Sequence, residues 1–209
     1  WSRTAAVLLP TTALTGDIEG FSALASQIPQ IKPLDCARVA YFQAAAHLLV
    51  MWSLLGQREP ALGLLSRLAS EIDAADLGLV EQGYYKFGKL VYSRSLCSDP
   101  WKNYVLAEAA TRITATGGDL RTLLFVQGFL GTALGELGRF EDAESVLREC
   151  MELAQRLNEP LLNNHVRVQY ELVLLIGADP ARLQEALISA QCTVDNERTN
   201  PLLRGEALI

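Results

Sequence analysis

Residues 121–157 read RTLLFVQGFLGTALGELGRFEDAESVLRECMELAQRL, and the pattern of that stretch decides the fold. Leu123, Leu124, Val126, Leu130 and Leu134 form an apolar stripe at helical spacing. Gly138 ends this helix, because glycine enters the left-handed conformation at a helix C-terminus without steric cost. A second stripe follows in Phe140, Ala143, Val146, Leu147, Cys150, Met151, Leu153 and Ala154. Glu141, Asp142 and Glu144 crowd its first turn, where they complement the positive end of the helix dipole. Two amphipathic helices joined by a glycine turn make an antiparallel hairpin.

The same kind of turn recurs at Leu14-Thr15-Gly16-Asp17-Ile18, Leu55-Gly56-Gln57-Arg58-Glu59, Cys97-Ser98-Asp99-Pro100-Trp101 and Ile176-Gly177-Ala178-Asp179-Pro180. Anchors at 16, 56, 98, 138 and 177 are separated by 40, 42, 40 and 39 residues. A second set of breakers at Pro33, Asp76, Gly118, Pro160 and Pro201 falls between them. Two interleaved sets of turns predict one helix pair per repeat and about five antiparallel hairpins across residues 1–209, an all-α solenoid forming a single domain. In such an array no unit buries its apolar face alone, and stacking on neighbours supplies the core.

Composition narrows the function. Half of the 209 residues are hydrophobic and 20% are charged, which suits a packed core and not a disordered chain. A formal net charge of −6, with no cluster of Lys and Arg, argues against nucleic acid as a partner. The longest near-apolar run, Ala44 to Leu55, is interrupted by His47 and Ser53 and is too short to cross a membrane. Cys36, Cys97, Cys150 and Cys192 lie 61, 53 and 42 residues apart. That matches neither a metal knuckle nor a dense disulfide framework, so reduced and mostly buried thiols in a cytoplasmic protein are expected. The chain opens on Trp1 and closes on Leu208-Ile209 in what reads as the start of a further helix, so an excerpt of a longer polypeptide is expected.

Leu130-Gly131, Leu134, Gly138, Phe140, Ala143, Leu147 and Cys150 resemble the large-and-small alternation of the tetratricopeptide repeat (TPR). The resemblance places Gly131 and Ala143 where the paired helices cross most closely. Leu48, Trp52, Gly56, Ala61, Leu65 and Leu68 follow in the second repeat, without the small residue after Leu48, while the third is degenerate around Ser98 and the first is half present. The period of about 40 exceeds the common TPR value of about 34. It is similar to the longer arrays of large bacterial signalling ATPases, multidomain kinases and LuxR-type regulators, and repeats of the HEAT type share it. The resemblance implies a right-handed superhelix whose inner surface is lined by the first helix of each pair.

Two stretches imitate catalytic motifs. Asp17-Ile18-Glu19-Gly20-Phe21 resembles the metal-binding motif of class III nucleotide cyclases, but it falls on a repeat turn and lacks a second carboxylate from a neighbouring strand. Gly83-Tyr84-Tyr85-Lys86-Phe87-Gly88-Lys89-Leu90 approaches a phosphate-binding loop, yet Leu90 replaces the hydroxyl that would ligate Mg²⁺ and an ordinary helix from Leu77 to Leu96 is expected. His47 and His165 read as solvated or locally hydrogen-bonded, with no nucleophile or metal ligand at a useful spacing. No catalytic residue, cofactor or metal site is expected, and the chain reads as a non-enzyme.

Gly128, Gly131, Gly135 and Gly138 recur along one side of a helix predicted from Arg121 to Leu137. An interior glycine costs about 0.8–1 kcal/mol relative to alanine, so this spacing implies either close helix packing or the floor of a groove. By analogy with TPR grooves, the expected partner-binding residues are Gln43, Tyr85, Tyr92, Phe125, Gly128, Gly135, Asn164, Arg167 and Glu171. On the groove reading, Gly131 faces its paired helix while Gly128 and Gly135 open toward a ligand. The function expected is a protein-interaction and regulatory scaffold within a larger cytoplasmic signalling or transcription-control protein. Its partner would be a protein, a peptide or another domain of the same polypeptide. The alternatives are an inducer sensor holding a small molecule inside the superhelix, or a non-catalytic part of a multidomain kinase, cyclase or ATPase.

Overall fold

A computed structural model describes residues 2–15, 17–74, 77–117, 119–177 and 180–195. Ten α-helices account for nearly all of them: α1 (Ser2–Thr15), α2 (Ile18–Gln27), α3 (Arg38–Leu54), α4 (Arg58–Ala74), α5 (Leu79–Leu96), α6 (Pro100–Gly117), α7 (Leu120–Glu136), α8 (Phe140–Leu157), α9 (Pro160–Gly177) and α10 (Pro180–Asp195). Two short 3-10 turns, Ile28–Gln30 and Asp35–Ala37, lead from α2 into α3. Among the described residues there is no strand, and no helix is long and apolar enough to cross a membrane. The first helices of successive pairs from the second onward begin at residues 38, 79, 120 and 160, in steps of 41, 41 and 40.

Local chemistry explains the helix ends. Gly56 (φ +69°) and Gly138 (φ +77°) take the left-handed conformation at the expected turns. Ser98 (φ +49°) takes it at the third turn, where no glycine is present. Asn158 (φ +51°) does the same between α8 and α9, and Pro160 then opens α9, where its missing N–H costs nothing. Asp17 caps α2, its Oδ1 accepting the Gly20 N–H at 2.9 Å. The cyclase-like stretch is therefore a helix start, with helices on both sides of it. The expected breakers Gly16, Asp76, Gly118, Ala178-Asp179 and Pro201 lie outside the described residues.

The chain packs as two compact units, one formed by Trp1–Asp99 with Arg112–Asp119 and the other by Pro100–Thr111 with Leu120–Ile209. In the first unit, α3 packs against α1, α4 and α5, and α4 also packs against α5. That position accounts for the apolar run noticed in the sequence, since a helix covered on several sides is hydrophobic nearly all round. Tyr41, Phe42, Ala44, Ala45, Ala46, Leu48 and Leu49 of α3 are all buried, together with Leu9, Ile28, Leu68 and Leu90. Gly88 sits at the α3–α5 crossing, where an added Cβ would lie 2.6 Å from Leu49 Cδ1.

In the second unit, α7 packs against α8 and α9, α8 against α9, and α9 against α10. Leu124, Leu134, Ala143, Leu147, Cys150, Ala154, Leu162, Val166, Tyr170, Val173, Leu174 and Ala186 make its core. Gly131 lies beneath Leu147, whose Cγ would be 2.4 Å from a Cβ added there, and Ala143 is fully buried. Gly131 thus lies where α7 meets α8, and Ala143 is part of the core beneath α8.

The glycines predict opposite responses to the same substitution. Gly131→Ala forces Leu147 aside and is expected to destabilise by about 1–3 kcal/mol through overpacking, net of the helix-propensity gain. Gly63, exposed within α4 with nothing within 4 Å of an added Cβ, gains only propensity, so Gly63→Ala is expected to stabilise by about 0.8–1 kcal/mol. Denaturant melts of the two variants check the sign of each change.

Candidate functional site

One face of α9 carries His165, Gln169 and Val173 at steps of four residues, and this face meets α7. The His165 ring lies between Phe125 (centroids 4.6 Å apart) and Phe129 (4.9 Å, edge-on at 74°). Its Nε2 is 3.3 Å from the Phe125 carbonyl oxygen. Bare backbone at Gly128 admits the imidazole, because an added Cβ would come within 2.8 Å of Nε2. One turn along, the Thr132 hydroxyl donates to Gln169 Oε1 at 2.8 Å, with the Gly128 carbonyl 3.3 Å away. A further turn along, Val173 covers Gly135 and would lie 2.9 Å from an added Cβ.

This seam corrects the groove expectation for Gly128 and Gly135. Neither opens toward a ligand, since both are buried beneath α9 and serve helix packing. Of the two expectations for His165, solvated or locally hydrogen-bonded, the first is excluded, for the side chain is 4% exposed and its Nε2 contacts the Phe125 carbonyl. Gln169 and Thr132 were not singled out in the sequence, and His165 was not expected at a helix crossing. The signal available was the match of bulky positions 165, 169 and 173 to small positions 128, 132 and 135 about one repeat earlier.

The other expected residues divide by exposure. Tyr92, Asn164 and Glu171 are buried, and the Ser189 hydroxyl donates to Glu171 Oε1 at 2.5 Å, so Glu171 ties α10 to α9. Phe125 is half-buried and committed to the His165 stack. Gln43, Tyr85 and Arg167 are half-buried and partly open to solvent. The Tyr85 hydroxyl is pushed above its ordinary pKa by burial and by the nearby Asp73 carboxylate, and the Lys89 ammonium lies 5.9 Å from its ring centroid. Asn164, though buried, lines an open pocket between α8 and α9.

The motif-like stretch Gly83 to Leu90 lies wholly inside α5. Gly83 packs under Thr114, whose Cγ2 would be 3.2 Å from an added Cβ, and Gly88 packs under Leu49. Both glycines thus face side chains, not a phosphate.

The cysteines depart from expectation, since Cys36 and Cys97 are exposed and only Cys150 of the described thiols is buried; the Cys192 side chain lies outside the described residues. Burial, reinforced by Glu149, pushes the Cys150 thiol up to about 12. Such a group stays protonated and unreactive at neutral pH.

His47 of α3 is held below its ordinary pKa, chiefly by burial; a hydrogen bond to the Ala6 backbone and the Asp119 carboxylate act in the opposite sense. Its Nδ1 is buried without a hydrogen-bond partner among the described residues. No protein-family model, curated protein or solved structure matches this chain.

A lowered histidine pKa in the folded state fixes the direction of a pH effect. The unfolded chain takes up the His47 proton near pH 6.5 while the folded chain resists it. The neutral imidazole's contribution is thus fully present above about pH 6.5 and is lost as pH falls from there toward the lower folded value. Stability measured from pH 7.5 to 5.5 should fall less steeply in His47→Gln than in the unchanged chain. Parallel curves would contradict the assignment.

Proposed function

We propose that this chain is a protein-interaction module whose hairpins stack as a right-handed, TPR-like solenoid. It would act by binding and not by catalysis, within a larger cytoplasmic signalling or transcription-control protein. The observation that carries the reading is the packing order inside each unit. Within the units α1, α3, α7 and α9 each pack on their own hairpin partner, and first helices pack on one another as α1 with α3, α3 with α5 and α7 with α9. That order, repeated at steps of 40 to 41 residues, is what stacked helical repeats require, because every unit completes its core on its neighbour.

Stacking of this kind leaves a row of first-helix side chains at the surface. Gln43 on α3 and Tyr85 on α5 are half-buried members of such a row in the first unit, and Arg167 on α9 is a half-buried first-helix residue of the second. Tyr and Arg are the side chains most often responsible for binding energy at protein interfaces, since each joins a large contact area to directional hydrogen bonding. A protein or peptide segment is therefore the partner that such first-helix surfaces suit.

Selection of displayed random peptides against the chain tests the reading. Enriched sequences are expected to bind saturably, and Tyr85→Ala should weaken those that dock on the first unit, or Arg167→Ala those that dock on the second, by about tenfold, equivalent to about 1.4 kcal/mol, with the melting curve unchanged. Failure of any sequence to enrich above an unrelated helical control would overturn it.

A further inference from the structure

The left-handed Asn158 lies between the end of α8 and the start of α9 and lines an open pocket of about 250 Å³ there. Ala154 and Gln155 line it from α8, Asn158 and Glu159 from the turn, and Pro160, Asn163 and Asn164 from α9. Four of its seven lining residues are primary amides. Each amide offers two N–H donors and a carbonyl acceptor, and carries no charge.

The lining chemistry selects among ligand classes. None of the seven residues is cationic, so an anion would meet no counter-charge. The only ionised group is the Glu159 carboxylate, which is paired with the Arg121 guanidinium. None is aromatic, so a sugar ring or nucleobase would find no stacking face. Neutral groups that donate and accept hydrogen bonds side by side remain, and the peptide unit is such a group.

We propose that this pocket binds the main chain of an extended peptide, with the Gln155, Asn158 and Asn163 amides pairing with its N–H and C=O groups. The inference rests on the interaction-module reading and assigns it a site. Main-chain recognition makes affinity tolerant of the ligand's side chains, which would be read by other surfaces.

The probe is N-acetyl-alanine-N′-methylamide, which carries two peptide groups and no charge, titrated into the full chain while side-chain amide resonances are followed by NMR. Saturable shifts of Asn163, Asn158 and Gln155 are expected at millimolar affinity, as a ligand of so few atoms allows. Asn163→Leu should weaken binding at least fivefold with the melting curve retained. Gln155→Met, at an exposed position on α8, provides the same test should the first variant lose its fold.

Absence of saturable shifts into tens of millimolar would overturn the proposal. So would equal binding by maltose, or binding by alanyl-alanine with free charged termini but not by the capped probe. Success of peptide selection with failure of this titration would leave the interaction module standing and remove the pocket as its site. Failure of the selection would remove the module itself.

Discussion

The second unit depends on how closely α7 can approach two helices at once. Gly131 lets Leu147 of α8 rest on the α7 backbone, while Gly128 and Gly135 do the same for His165 and Val173 of α9. Each interior glycine costs about 0.8–1 kcal/mol of helix propensity, whereas burying one leucine side chain contributes about 1.5–3 kcal/mol. The exchange therefore favours the fold, provided that every cleared space is filled. Leu147 is fully buried, Val173 is 1% exposed and His165 is 4% exposed, so the spaces are filled.

Much of this was legible in residues 121–157. The left-handed Gly138, the two apolar stripes and the small residues at Gly131 and Ala143 all followed from helical periodicity and turn chemistry. The direction of Gly128 and Gly135 was not legible, and helix geometry explains why. With 3.6 residues per turn, Gly131 is rotated about 60° from Gly128 on the helix circumference. That small angle separates the side facing α8 from the side facing α9. A spacing pattern reveals that one side is bare, but it does not reveal that two neighbours divide it between them.

The same limit accounts for the other departures. Cys36 and Cys97 are exposed because they stand at a 3-10 turn and at the C-terminal cap of α5, not inside a helix stripe. His165 was expected to be solvated or locally hydrogen-bonded because isolated histidines are read by residue type. Its burial depends on space left by Gly128 and on aromatic rings at 125 and 129, which lie some forty residues away in sequence. Among the expected groove residues, Gln43, Tyr85 and Arg167 kept partial exposure, whereas Tyr92 and Glu171 were absorbed into packing. Position along a first helix was thus readable, and rotation about its axis was not.

The central claim is that bare backbone at Gly128 exists to admit the His165 ring. A double-mutant cycle of Gly128→Ala and His165→Ala measures it most directly. The added methyl group should be costly opposite the imidazole and nearly harmless once the ring is gone, giving a coupling energy of about 1 kcal/mol or more. Additivity of the two changes within about 0.3–0.5 kcal/mol would contradict the account.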